Sequence, residues 1–281
     1  MITSCTFYFL RKENVVLWAS ASWKMAANAA LIFFLCSCTE IYDAQKSVED
    51  KNQQNDQIPC ENMPVNLKVI RDTLDSLEKG AARKEDPSST SLSEMARLCF
   101  VLGELTGGDE RLLYFNKGKS YSERLAQEQP DKVEGHYWLA LNLCGIAEAL
   151  GAGKALLLIP TIVDHLETAR LLDETYDQGG PLRVLGRIYC KAPDWPLSEG
   201  NLSKSLRRLR TAVRIAPENS TNHLYLAKTL IELGKLEEAF MELNRVLTSK
   251  QAVLPCKLEE DQREASDIIQ ECTPGKIGTQ K

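Results

Sequence analysis

The sequence predicts an all-α fold of about ten helices that pair into hairpins and stack into a compact bundle. Apolar residues recur at the helical spacing i, i+3, i+4 and i+7 from Leu67 to Ile269, without strand-like alternation of convincing length. Residues 130–143 also align without a gap on residues 217–230, which indicates an internal repeat. The chain has 281 residues, 43% of them hydrophobic, and this is enough for a well-packed core.

The N-terminus is predicted to be a secretory signal and not part of the fold. Basic residues precede an apolar run over residues 26–35, which is far shorter than the roughly 20 residues that span a bilayer. The run ends in Leu35 to Cys38, which resembles the lipobox of bacterial lipoproteins, where the cysteine is acylated and becomes the mature N-terminus. The resemblance implies a signal peptide over 1–37, lipidation of Cys38, and a periplasmic protein anchored in a membrane, which we expect to be the outer membrane of a Gram-negative bacterium. An uncleaved signal anchor or a buried helix is the alternative.

Composition divides the rest of the chain into three parts. Residues 38–60 are polar and lack a helical period, so we expect a lipid-anchored tether. Residues 61–272 carry the helical pattern and form the predicted domain, and residues 273–281 are expected to be a disordered tail.

Six cysteines remain after the signal and Cys38 are set aside, and we expect them to be mainly buried free thiols. Three of them lie among apolar residues in predicted helices, where a buried thiol is expected. Two others bracket a single predicted helix, which would hold them about 24 Å apart and exclude a bond between them. A disulfide from Cys60 to one of that pair stays open. The buried set is Cys99, Cys144 and Cys190, and the bracketing pair is Cys256 and Cys272.

The predicted helices follow one another as pairs. Leu92–Leu105 and Glu110–Glu128 form the first pair, which ends at Pro130. In the next pair, Ala155–Val163 is apolar on every side, so we expect it to be buried on all sides or to border an apolar cavity. The amphipathic helix Lys257–Cys272 is expected to cap the stack.

The last pair of helices resembles a tetratricopeptide repeat, in which large and small residues at fixed positions let two antiparallel helices pack closely. Small Ala227 faces small Ala239 across the turn at Gly234. In this pair 19 residues separate Ala227 from Val246, whereas 26 separate the equivalent Gly186 and Ala212 in the pair before it. The earlier hairpin therefore contains seven extra residues in its turn. These include Pro193, Trp195 and Pro196, and we expect Trp195 to pack over the helix ends.

The order of these features is similar to that of the T-component lipoproteins of tripartite ATP-independent periplasmic (TRAP) transporters. The resemblance covers residues 92–247, is strongest over Tyr176–Arg187 and Lys191–Gly200, and is accompanied by the lipobox. It implies a periplasmic bundle of repeat helices with an apolar channel, working beside the transporter's solute-binding protein and handling a small apolar or organic-acid ligand. The residues that would line this channel are Tyr137, Trp138, Leu141, Leu157, Leu158 and Ile162.

Two polar features have a structural and a functional interpretation. His136 could orient a ligand in the channel, but it aligns with His223, which favours a role in the repeat scaffold. The arginines at 207, 208, 210 and 214 surround inward-facing apolar residues, which favours a solvated face over a surface for an acidic partner.

Several function classes are disfavoured. A net charge of -5 without a long basic run disfavours nucleic acid. The sequence GAGKA at Gly151 lacks the first glycine and the final hydroxyl residue of a phosphate loop. The three histidines are far apart in the sequence, and neither a zinc motif nor a GxSxG motif is present, so we expect no enzyme, metal or cofactor.

Two functions remain. The first is an accessory of a TRAP transport system that binds a solute-binding protein and a small ligand. The second is a tethered scaffold that binds proteins in the cell envelope without any small-molecule ligand, as repeat stacks commonly do through their concave surface. The oligomeric state is open, and a homo-oligomer is compatible with either function.

Overall fold

The described residues form ten α-helices, and the all-α prediction is confirmed. The computed structural model describes residues 67–83, 88–194, 197–254 and 257–272. Within these ranges there is no β-strand. Two isolated β-bridges pair Asp194 with Gly200 and Asn219 with Gln251. The helices are α1 (Leu67–Arg83), α2 (Ser89–Leu105), α3 (Gly108–Glu128), α4 (Val133–Leu150), α5 (Ala152–Leu172), α6 (Tyr176–Lys191), α7 (Leu202–Ile215), α8 (Ser220–Glu232), α9 (Leu236–Thr248) and α10 (Lys257–Cys272).

Polar side chains set the starts of three helices. Ser88, Asn201 and Asn219 each precede a helix and accept a hydrogen bond from the backbone N–H three residues later. Such a cap satisfies one of the N–H groups that the first helical turn leaves without a partner. These caps fix the starts of α2, α7 and α8.

The helices pair as α2 with α3, α4 with α5, α6 with α7, and α8 with α9. The first helices of neighbouring hairpins, α2, α4, α6 and α8, approach one another more extensively than the second helices do. We call the side of the stack formed by these four first helices the inner face. Helix α1 packs on α2, and α10 packs its Ala265, Ile268 and Ile269 against the last hairpin, which confirms the predicted cap.

The largest core cluster lies between α4, α5 and α6, with Phe115 of α3 within it. The ring of Phe115 is fully buried and lies against Gly103 of α2 and Gly145 of α4. A Cβ at either glycine would lie 2.5 Å or less from a ring carbon, which is far inside van der Waals contact. The glycines therefore create the space that the ring fills.

The internal repeat is visible in two equivalent hydrogen bonds. His136 donates from Nε2 to the carbonyl oxygen of Pro130 at 3.1 Å, and His223 does the same to Pro217 at 2.7 Å. Each histidine ties the first helix of a hairpin to the proline that ends the previous one. This supports the scaffold interpretation of His136.

The extra residues in the third hairpin form the connection between α6 and α7, as the sequence predicts. The backbone N–H of Gly200 donates to the carbonyl of Pro193 at 2.9 Å, and that of Asn201 donates to Tyr189 at 2.8 Å. A Cβ at Gly200 would collide with the carbonyl oxygen of Ala192, so only glycine fits this close approach. Trp195 and Pro196 lie outside the described residues, and the expected packing of Trp195 stays a prediction.

Several predictions concern residues outside the described ranges. These are the signal peptide, the lipidation of Cys38, the tether, the tail, and the Cys60 end of a disulfide to Cys256 or Cys272. Cys99 is buried, and Cys144 and Cys190 are half-buried free thiols, in line with the sequence. The described residues from Leu67 to Gln270 belong to one compact unit, and none of the described helices has the length and apolarity to cross a bilayer.

Candidate functional site

A row of four charged side chains and one tyrosine connects the first helices across the inner face. Arg111, at the start of α3, contacts Glu104 of α2 at 3.4 Å and Glu148 of α4 at 3.1 Å. Glu148 also pairs with Arg187 of α6 at 3.3 Å. Arg187 donates to the hydroxyl of Tyr225 of α8 at 3.2 Å and lies over its ring. We call these five residues the inner-face network.

Helix α10 extends the inner-face network at both ends. Lys228 of α8 also lies over the Tyr225 ring and pairs with Glu264 of α10 at 2.5 Å. At the start of α10, Lys257 lies 4.0 Å from Glu104. The network therefore links the first hairpin to the last and to the capping helix.

The inner-face network is open to solvent at its centre and enclosed at its first hairpin. The side chain of Arg187 is 51% exposed, and its guanidinium is held by Glu148 and Tyr225. Burial raises the pKa of Glu104 above its ordinary value, although Lys257 and Arg111 act against this effect. A half-exposed guanidinium suits recognition of a carboxylate, because it presents several N–H donors in one plane.

Aromatic side chains pack between α2, α4 and α6. The ring centroids of Phe100 and Trp138 lie 6.0 Å apart, and the Trp138 indole N–H donates to the hydroxyl of Tyr176 at 3.1 Å. Trp138 is buried in the largest core cluster, and Phe100 and Tyr176 pack against that cluster. These rings therefore belong to the packing between the first helices.

A buried polar network holds three first helices together behind these aromatic side chains. Arg183 of α6 is 2% exposed and donates to the carboxylate of Asp177 at 2.6 Å and to the hydroxyl of Tyr137 at 3.2 Å. The Tyr137 hydroxyl donates to the same carboxylate at 2.5 Å, and Asn222 of α8 accepts from Arg183 at 3.4 Å. Burial alone lowers the pKa of Arg183, but Tyr137 and Asp177 outweigh it, and the net shift is upward.

This network supports a left-handed turn at the start of α6. Asp177, Gln178 and Gly179 have φ values of 48°, 57° and 79°. Two of the three are not glycine, and such a conformation persists only where the surroundings hold it. Arg183 donates to the backbone carbonyl of Asp177 at 3.2 Å, and Asn222 donates to that of Gln178 at 3.2 Å. These bonds fix the turn beneath the inner face.

The six predicted channel residues lie in two different environments. Tyr137, Trp138, Leu141 and Ile162 are buried in the largest core cluster, and Leu158 is half-buried against it. Leu157 is 78% exposed. The expectation that Ala155–Val163 is buried on all sides is wrong for the face that carries Leu157, because no described helix covers that face. The alternative, that the helix borders an apolar cavity, stays a prediction. Whether the other five border a channel stays a prediction.

Two of the histidines lie closer together than their separation in the sequence suggested. Although distant in sequence, His136 of α4 and His165 of α5 are neighbours, with their Nδ1 atoms 3.0 Å apart. Since the Nε2–H of His136 donates to Pro130, its Nδ1 accepts in the neutral ring and His165 donates. Within the described residues, no group of three side chains suited to a metal ion lies together.

The histidine pair makes stability depend on pH. Burial, and then the charge of His136, lowers the pKa of His165, while Asp164 and Glu123 act against both. The unfolded chain therefore binds more protons below pH about 6.5, and the free energy of unfolding falls as the pH is lowered through this range. We expect His165→Gln to lose less stability than the natural chain between about pH 7 and pH 5. Chemical unfolding at both pH values measures this, and equal losses would contradict it.

The arginine run belongs mostly to the solvated face. Arg207, Arg210 and Arg214 are exposed, while Leu209 beneath them is fully buried. Arg208 is half-buried and pairs with Glu167 at 2.8 Å, and Arg210 pairs with Glu238 at 2.6 Å. These pairs join second helices and lie apart from the inner face.

The sequence did not single out Arg187, Glu148, Asp177 or Arg183. One signal was present for Arg183: it follows Gly-Gly-Pro-Leu and shares the helix with inward-facing Leu182 and Leu185. A charge at such a place indicates a buried partner. Its partner Asp177 could not be identified, because the left-handed turn that positions Asp177 is not a helical feature.

No protein-family model and no curated protein matches the sequence. Among solved structures, the chain is similar to a thermophilic tetratricopeptide-repeat protein of Thermus thermophilus, with a TM-score of 0.53 and 16% identity. The match covers 71% of this chain and 92% of the other. At this identity the likeness concerns the fold, and the helical pairs described above agree with it. The chain thus has the fold of a tetratricopeptide-repeat protein.

Proposed function

We propose that the chain is a periplasmic, lipid-anchored scaffold that binds a partner protein on its inner face, and that this partner is the solute-binding protein of a TRAP transport system. Stacks of helical repeats commonly bind proteins through an extended concave surface, and we take the inner face as that surface. The inner-face network, centred on half-exposed Arg187, is the observation that carries the proposal.

The TRAP assignment and the anchor have their support in the sequence. The lipobox at Leu35 to Cys38 supports a lipoprotein, and the resemblance over residues 92–247 supports the T-component class. The T-component resemblance also supports a small apolar or organic-acid ligand in a channel near Trp138 and Leu158.

Reversal of one inner-face charge tests partner binding. Arg187→Glu should weaken capture of the solute-binding protein at least about tenfold, because losing a charge-assisted contact costs on the order of 1.5–3 kcal/mol. Capture of the purified partner on full-length protein, at a series of concentrations, measures the change.

Arg210→Glu is a matched control. Arg210 is 49% exposed and pairs with one glutamate, as Arg187 does, but it lies on a second helix and not on the inner face. We expect it to leave capture unchanged. If both variants bind like the natural chain, the inner face is not the docking surface.

The alternative is a tethered protein scaffold with no small ligand. The substitution Leu158→Asp, at a half-buried position, distinguishes the two functions experimentally. Native mass spectrometry of the full chain should detect a bound small molecule that Leu158→Asp removes if a ligand is handled. A chain that carries no such molecule and captures the same partner with or without the substitution favours the scaffold.

A further inference from the structure

The junction of α4 and α5 presents apolar side chains to solvent. We call residues 149–160 the α5 corner; its sequence is ALGAGKALLLIP, and Lys154 is its only charged residue. Leu157 is 78% exposed and Leu150 is 38% exposed, and Ala149 and Pro160 are exposed as well. Exposed apolar side chains grouped in this way usually mark a contact surface.

A series of contacts places the α5 corner at the end of the bundle where the described chain begins. Arg71, near the start of α1, pairs with Glu110 at the start of α3 at 2.8 Å. The next residue, Arg111, pairs with Glu148 near the end of α4 at 3.1 Å. Leu150 follows two residues later. The start of α1 and the α5 corner therefore share one end.

The other end of α5 provides a comparison. Leu171 is 74% exposed, about as much as Leu157, but it lies fourteen residues further along the same helix. At 1.5 Å per residue this is about 21 Å along the axis. Residues 1–66 join the bundle at the start of α1, so an anchor at Cys38 is connected to the end that carries the α5 corner and not to the end that carries Leu171.

We propose that the α5 corner contacts the lipid bilayer on which the protein is anchored. Leu150, Leu157 and Pro160 enter the boundary between the headgroups and the acyl chains, and Lys154 lies at the level of the lipid phosphates. Apolar side chains beside a single lysine suit an anionic lipid surface, where the ammonium group meets phosphate and the leucines reach the acyl chains. This proposal rests on the lipid anchor of the proposed function but not on the identity of its protein partner.

Fluorescence quenching in vesicles tests the contact. The full-length acylated chain, carrying either Leu157→Trp or Leu171→Trp, is reconstituted into vesicles of phosphatidylcholine and phosphatidylglycerol with brominated acyl chains. Both leucines are exposed, so neither substitution disturbs the core. After subtraction of the signal of the natural chain, we expect at least twofold more quenching at position 157 than at 171, with emission shifted to shorter wavelength.

Other outcomes overturn the proposal. Equal quenching at the two positions, or none at either, excludes a specific contact of the corner with lipid. A shift to shorter wavelength at 157 without quenching shows that a protein, such as a second copy of the chain, covers the corner instead.

The anchor and the partner are checked separately. Fatty-acid labelling of the natural chain, absent from Cys38→Ser, establishes the anchor; a chain without the label overturns both the anchor and this proposal. A labelled chain without quenching at 157 overturns the corner contact alone. Unchanged capture by Arg187→Glu overturns the inner face as docking surface and leaves the corner contact standing.

Discussion

Replacing Arg183 by alanine is expected to lower the free energy of unfolding by about 3 kcal/mol, because it removes the buried partner of an ion pair whose carboxylate is half-buried. The carboxylate of Asp177 would lose its 2.6 Å contact, and the backbone carbonyl of Asp177 in the left-handed turn would lose its donor. In a domain of this size, the melting temperature should fall by roughly 10 °C. Thermal and chemical unfolding of the full chain measure both quantities.

Arg187→Ala, one turn further along α6, is the control. Its side chain is half-exposed, so solvent screens the ion pair with Glu148. We therefore expect the free energy of unfolding to fall by less than about 1 kcal/mol. A loss of that size for Arg183→Ala as well would show that the buried network does not hold α4, α6 and α8 together.

The fold was predictable because its signals are local and repeated. Pro130 and Pro217, each followed six residues later by a histidine, marked two equivalent hairpin starts, and the structure shows the same hydrogen bond at both. The predicted bounds of α10 agree with the structure residue for residue. Apolar spacing and prolines act within one or two helical turns, and such signals can be interpreted without knowing the tertiary contacts.

The candidate site was less predictable because its residues meet only after the hairpins stack. Glu148 and Arg187 are 39 residues apart in the chain, and neither stands out among ordinary surface charges. The same limit explains the error at α5. The all-round apolar pattern of Ala155–Val163 indicated burial, but a pattern does not show how many neighbours a helix has. The structure leaves Leu157 exposed at the end of the bundle.

Replacing Gly145 by alanine is expected to lower the free energy of unfolding by about 2 kcal/mol. Overpacking a core costs about 1–3 kcal/mol, and the better helix propensity of alanine returns about 1 kcal/mol. We expect the upper end of the cost, because the new methyl group would overlap the ring of Phe115, which is fully buried and also lies against Gly103. Urea unfolding of the variant beside the natural chain gives the difference.

Gly153→Ala is the matched control, since a Cβ at Gly153 meets nothing within 4 Å and the residue lies in the first turn of α5. There we expect a gain of about 0.5–1 kcal/mol, so the two substitutions should act in opposite directions. A loss at both positions would show that glycine is needed for its backbone freedom and not for the space it leaves.

Phe115→Leu, combined with Gly145→Ala, tests whether the ring itself is the cause. Alone, the leucine should cost about 1–2 kcal/mol, since it leaves part of the ring's volume empty. In the double variant the alanine methyl group occupies some of that volume, so the total loss should be smaller than the sum of the two single losses by roughly 1 kcal/mol. Additive losses would mean that Gly145 is constrained by another neighbour, such as the backbone of α2. The difference between these outcomes therefore identifies the contact that sets how closely α3 and α4 approach beneath the inner face.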